Sequence, residues 1–142
     1  MDWTGGGSGS LFKFNGLAGD YSGEAFSVSA DGSVIFGRSP ITVGGTFVTG
    51  YKATFSGQTP TGINPLPLLG GETGAAYQCP YGASADGRYA VGMDYPGKEK
   101  AVLWDTGDVN PANWTVLDLT QYASDRGILG GWTALSRAYS VG

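Results

Sequence analysis

The chain has no histidine and a single cysteine, Cys79. Without imidazole the common zinc, copper and haem ligand sets are out of reach, and one thiol can form no internal disulfide, so no metal and no cofactor is expected. Cys79 lies in the apolar run AAYQCPYGAS with no cation or base beside it in sequence, and reads as a small buried hydrophobe. Charge is also scarce. Charged residues make up 14% of the sequence, and its eight Lys and Arg are scattered singly in a chain of net charge −4. No basic stripe exists to neutralise phosphates, which excludes nucleic acid as an expected partner. No run of apolar residues is long enough to span a membrane, and the opening MDWTGGGSGS has neither the basic nor the apolar segment of a secretory signal. The start reads as a cut, with any export signal lying upstream.

Glycine and aromatic residues are abundant. There are 26 Gly, 41% hydrophobic residues and 13% aromatics in 142 residues, enough for one domain with its own core. Glycine at this level beside so much apolar surface punctuates short elements, which reads as all-β. One phrase recurs: SVSADGSVIFGRS at 27–39 and GASADGRYAVGMD at 82–94, a shift of 55 residues. Asp-Gly between alternating runs predicts a hairpin with a two-residue turn, pairing 25–30 with 33–38 and 79–85 with 88–93. A period near fifty points to propellers or arrays.

Each copy continues in the same order. A third strand follows at 46–55 (TFVTGYKATF) or 99–106 (EKAVLWDT), and a fourth at 63–69 (INPLPLL) or 114–120 (WTVLDLT). Four antiparallel strands make one propeller-like blade. Pro65 and Pro67 then fit only its outer edge, because proline cannot donate to a ladder. The inner strand should carry small residues where blades converge, and Ser27, Gly82 and Ser140 fit, each preceded by an aromatic (Phe26, Tyr81, Tyr139). The expected organisation is a single propeller-like fragment: an outer strand in 1–16, blades at 17–69 and 70–120, and in 121–142 a helix or loop followed by the inner strand of a further blade. Thr120 as N-cap and Gly127 as C′ predict a short helix near 120–127. Open edges imply a longer propeller or association of copies of the chain, with strands 11–15 and 133–141 completing neighbouring blades.

The stretches AFSVSADGSVIFGRS, YKATF and LPLLGG, then YGASADGRYAVGMD, KAVLWDTG and TVLDL, resemble consecutive repeats of the HAF family of bacterial extracellular proteins. Phe55 stands where that pattern favours Trp, and LLGG replaces Asp-Leu-Gly. The resemblance implies an extracellular or cell-surface β-propeller-like protein. It brings no catalytic residues with it.

Two sets of side chains invite a functional reading. Asp31 and Asp86 sit in the repeated turns, but one carboxylate per turn falls short of a calcium loop, and both read as turn residues. The four tryptophans, Trp3, Trp104, Trp114 and Trp132, are assigned to packing. The second set comes from topology. In an up-and-down blade, the loops between strands two and three and those leading from one blade to the next share a face. That face collects Asp20, Tyr21, Glu24, Arg38, Glu72, Asp94 and Tyr95. These acids and aromatics form the candidate ligand-binding rim, for a protein or glycan partner. A glycosidase would need two carboxyls at a set separation, one of raised pKa, and no catalytic residue is assigned. The sequence thus points to a non-enzymatic extracellular repeat module with a structural or interaction role, with a carbohydrate-binding propeller as the alternative.

Overall fold

The computed structural model describes residues 14–17, 23–41, 47–71 and 77–142. The alternating runs form eight strands, β1 (Glu24–Val28), β2 (Val34–Ile41), β3 (Phe47–Ser56), β4 (Thr59–Pro65), β5 (Cys79–Ala83), β6 (Tyr89–Asp94), β7 (Lys100–Asp105) and β8 (Thr115–Asp118), followed by one helix, α1 (Leu119–Asp125). Among the described residues every pairing between these strands is antiparallel and joins sequence neighbours, giving two four-stranded sheets in the orders β1-β2-β3-β4 and β5-β6-β7-β8, and an isolated parallel bridge joins Val48 to Tyr77. The protein is all-β with one short helix, and its described sheets close no barrel.

The repeat holds at the level of single pairings. Glu24 faces Arg38 in the first sheet, and fifty-five residues on Cys79 faces Met93 in the second. A β-bulge follows both pairs at the same place. Gly37 and Gly92 sit across from these bulges, where a Cβ would run into the carbonyl oxygens of Glu24 and Cys79 respectively. That close approach is why each second strand carries glycine there. Trp104 corresponds by register to Ala53 rather than to Phe55, since Gly37 faces Tyr51 and Gly92 faces Val102.

The expected two-residue turn at Asp31-Gly32 is a longer loop. Gly32 N–H donates to Ser29 O at 3.0 Å, which places Ala30 and Asp31 at the centre of the turn and leaves Gly32 at φ 75°. Side chains stabilise this loop. Ser29 Oγ donates to Asp31 Oδ1 (2.7 Å) and accepts from Val34 N–H (3.0 Å), while Asp31 Oδ1 also accepts from Ser33 N–H (2.9 Å). Ser84, Asp86, Arg88 and Tyr89 repeat the arrangement. Asp31 and Asp86 are thus turn residues, as expected. β4 also begins earlier than expected, because Gly57 at φ 59° allows a tight reversal between Ser56 and Thr59. It is an edge strand containing Pro60 and Pro65.

Strand alternation fixes which face packs where. β2 turns Val34 and Phe36 toward the second sheet, where they meet Ala90, Val102, Trp104 and Trp114 in a shared core completed by Leu66. Phe36 has no exposed surface, and burial of such a side chain contributes roughly 1.5–3 kcal/mol. The opposite face of the first sheet carries Tyr51, Ala53 and Phe55, and Phe14 and Leu17 pack on it. Those two residues belong to no strand. Trp3 and residues 11–13, 18–22, 42–46 and 72–76 lie outside the described residues.

Lys52 is buried between the sheets. Its Nζ donates to Thr106 O and Oγ1, both at 3.0 Å, and lies 5.5 Å from the centre of the Trp114 ring. Asp94 is also buried, accepting from Leu69 N–H (3.0 Å) and Gln78 Nε2 (3.2 Å).

Helix α1 is capped by Asp118, whose carboxylate accepts from the N–H groups of Thr120 and Gln121, so Thr120 is not its N-cap. Gly127 ends it as expected: its N–H donates to Ser124 O and Ile128 N–H donates to Ala123 O, the pattern of a Schellman motif. Residues 133–141 form no strand, yet they do not stray. Leu135 O accepts from Ala101 N–H at 2.9 Å, and Ala138 N–H donates to Gly92 O at 3.2 Å. Tyr139 then lies on Gly82, closely enough that a Cβ there would be 2.5 Å from the Tyr139 carbonyl oxygen. Trp132, expected in the core, is 73% exposed, because the chain between α1 and Leu135 bonds to neither sheet beyond the helix cap.

Candidate functional site

Three aromatic residues preceding the small positions of successive inner segments stack as a stair. Phe26 meets Tyr81 edge to face at 5.6 Å, and Tyr81 stacks on Tyr139 at 5.0 Å with an interplanar angle of 26°. Two residues before each aromatic stand Glu24, Cys79 and Arg137. Equivalent positions of the repeats therefore gather at one end of the two sheets. A cleft of about 620 Å³ opens there, walled by Phe26, Tyr77, Tyr81 and Tyr95, with Met93 and Cys79 between them and Arg38, Glu99 and Arg137 around them.

Arg38 organises one side. Its guanidinium lies 4.7 Å from the Tyr77 ring centre and 5.3 Å from that of Phe26. Its Nε donates to Glu24 Oε2 at 2.8 Å, and Nη2 approaches the same oxygen at 2.7 Å. Nη1 donates to the Tyr77 hydroxyl and, at 3.1 Å, to Cys79 Sγ. Burial disfavours the charge, but Cys79, Tyr77 and Glu24 outweigh it and raise the Arg38 pKa above its ordinary value. The cation missing beside Cys79 in sequence is thus supplied from forty-one positions away.

Arg137 organises the other side. It grips Glu99 through two hydrogen bonds, Nη2 to Oε1 at 2.7 Å and Nε to Oε2 at 3.2 Å. Hydrogen bonding from Arg137 holds the Glu99 carboxyl below its usual range. Tyr81, between the two sides, has its phenol pKa pushed up to about 12, chiefly by burial and then by a hydrogen bond with Cys79.

Of the rim residues expected from the sequence, Tyr95 and Arg38 line the cleft and Glu24 is paired with Arg38. Asp94 does not line it. Strand alternation in β6 turns it inward with Ala90 and Gly92, where it holds Leu69 and Gln78, so it is a buried structural carboxylate and not a rim acid. Asp20, Tyr21 and Glu72 lie outside the described residues. Tyr77, Glu99 and Arg137 were not anticipated. Arg137 could have been found by extending the Glu24–Cys79 equivalence to the third pair of an aromatic and a small residue, Tyr139-Ser140.

Among the described residues no group of three or more Cys, Asp or Glu could hold a metal ion, and no helix is long and apolar enough to cross a membrane. No family model matches the chain, and neither a curated protein nor a solved structure matches it.

Proposed function

We propose that this chain is a non-enzymatic, extracellular repeat module of HAF type that works by binding, with each four-stranded sheet acting as one propeller-like blade and the aromatic cleft as its contact surface. One observation carries the reading: equivalent positions of successive repeats converge on a concave, aromatic-walled site whose charged groups are already held in place. Pre-positioned rings and arginines reduce the ordering cost of binding and are common at binding hot spots. The carboxylates favour binding over hydrolysis. Glu99 is held ionised by Arg137, the reverse of the raised pKa a general acid needs. The extracellular placement rests on the repeat resemblance alone.

A carbohydrate ligand is the second reading, favoured by phenol rings that offer an apolar face and a polar tip in one site. Labelled protein applied to an array of glycans, matrix polymers and peptides tests the general proposal. The expected result is a ligand whose binding falls about tenfold or more in Tyr95→Ala and is unchanged in Thr61→Ala, on the far edge strand. Binding that ignores Tyr95→Ala and Arg38→Met would remove the cleft from the account. Cleavage of a bound ligand, abolished by Glu99→Gln, would overturn the non-enzymatic reading.

A further inference from the structure

We infer that the cleft takes an uncharged oligosaccharide of hexopyranose rings, a conclusion that rests on its role as the contact surface and adds the class of ligand. Both guanidiniums at the cleft are matched by carboxylates of the same chain, Arg38 by Glu24 and Arg137 by Glu99. A uronic acid, a phosphate or a nucleotide would have to compete with a glutamate already bonded at 2.7 Å, and a cationic ligand would meet the arginines. Balanced ion pairs thus select a ligand without charge.

Donors and acceptors narrow the ligand further. The Glu99 carboxylate has acceptor capacity beyond the two bonds from Arg137, and the phenols of Tyr81 and Tyr95 can each donate and accept. Sugar hydroxyls do both and can use this mixed set. A proline-rich peptide also suits aromatic grooves, but its backbone offers carbonyl acceptors and few donors, leaving the glutamate oxygens without a use. The shape of the cleft also suits a sugar. Pyranose rings are apolar on their faces and hydroxylated at their edges, matching ring walls of Phe26, Tyr81 and Tyr95 beside a polar border at Glu99 and Arg137.

The test is calorimetric titration with cellohexaose, mannohexaose and maltohexaose as neutral probes, hexagalacturonate as the acidic one and decaproline as the peptide. At least one neutral hexasaccharide should bind, and its affinity should fall about tenfold or more in Tyr81→Ala and in Tyr95→Ala. Tyr95 is 40% exposed, so its variant reports on binding even if Tyr81→Ala is poorly folded. Hexagalacturonate should not bind the parent chain but should bind Glu99→Gln, in which Arg137 loses its carboxylate. Binding of hexagalacturonate to the parent chain would overturn the charge argument while leaving the cleft a contact surface. Binding of decaproline, lost in both tyrosine variants, would overturn the sugar and keep the cleft. Neutral-sugar binding indifferent to both variants would overturn sugar and cleft together. Failure of every probe would overturn the sugar alone, since the cleft itself is tested by the array.

Discussion

The backbone N–H of Ala30 donates to the carbonyl of Ala85 at 2.8 Å, joining one residue of the repeated turn to its own counterpart fifty-five positions later. The turns therefore stack as well as close their hairpins. Ser29 and Val34 of the first turn lie against Gly87 of the second.

This contact makes the two turn glycines unequal. Both have positive φ, 75° at Gly32 and 67° at Gly87, but a Cβ on Gly32 meets nothing within 4 Å, whereas one on Gly87 would be 2.7 Å from Val34 Cβ. Gly32→Ala should cost about 1 kcal/mol from conformation alone. Gly87→Ala should cost about 3 kcal/mol, conformation and overpacking combined. Urea midpoints at unchanged m-value would measure the difference, and equal costs would mean that the turns do not stack.

The same turns set the acid limit. Hydrogen bonds from the Ser29 hydroxyl, then from the Ser33 backbone and hydroxyl, lower the Asp31 pKa from 3.8 to about 2, and Asp86 moves the same way through Ser84. A folded pKa below the unfolded one gives stability that is present above the unfolded value and lost as pH falls through the folded one. The urea midpoint should therefore drop between about pH 4 and pH 2, less steeply in Asp31→Asn. An unchanged slope in that variant would remove Asp31 from the account.

Much of this was legible because hairpins are local. Ser-Ala-Asp-Gly, the alternation around it and the glycine within each second strand lie close together in sequence, and the strands follow. The turn's exact centre was not legible, because Ser29 and Asp31 side chains bond into the loop and shift it one residue back. Long-range choices were the hard part. Asp94 looks like a loop acid at the end of β6, but it continues the inward alternation of Ala90 and Gly92 and is held there by Leu69 and Gln78, partners that no local pattern names. Arg137 enters the cleft because the chain after α1 folds back over β5, a path announced only by the third copy of the repeat.

Lys52 separates packing from charge. Burial lowers its pKa against the attraction of Asp86 and Asp105, while its ammonium lies 5.9 Å from the centre of the Phe36 ring and 5.5 Å from that of Trp114. Lys52→Met keeps the stem and removes the charge that is costly to bury, and should stay within about 1 kcal/mol of the parent. Lys52→Ala should lose about 2–3 kcal/mol through the cavity it leaves. Chemical denaturation of both variants decides, and equal losses would mean that the hydrogen bonds to Thr106 dominate.

The cleft has an alkaline signature. With the Tyr81 pKa raised from 10.0 to about 12, mainly by burial, the folded state holds a phenol proton that the unfolded chain has released. That contribution is complete below pH 10 and is lost as pH rises through about 12. Ultraviolet titration should show a late tyrosine that disappears in Tyr81→Phe. A titration curve unchanged by that substitution would place the late phenol elsewhere, for instance at Tyr51, whose pKa burial also raises.

The chain after α1 should detach without unfolding the sheets. Gly82 touches the Tyr139 carbonyl, whereas the β5–β6 pairs at Gly82 and Ala83 are backbone bonds that a side chain does not break. Gly82→Val should therefore push residues 137–141 away, undo the Tyr81–Tyr139 stack and remove Arg137 from the cleft wall, while strand content stays the same. Amide exchange reads this directly. The Ala138 N–H, bonded to Gly92 O, should lose protection, while that of Val102 within the second sheet should keep it. If both amides lose protection together, the closing segment is part of the cooperative core, and the cleft cannot be opened from that side without melting the sheet beneath it.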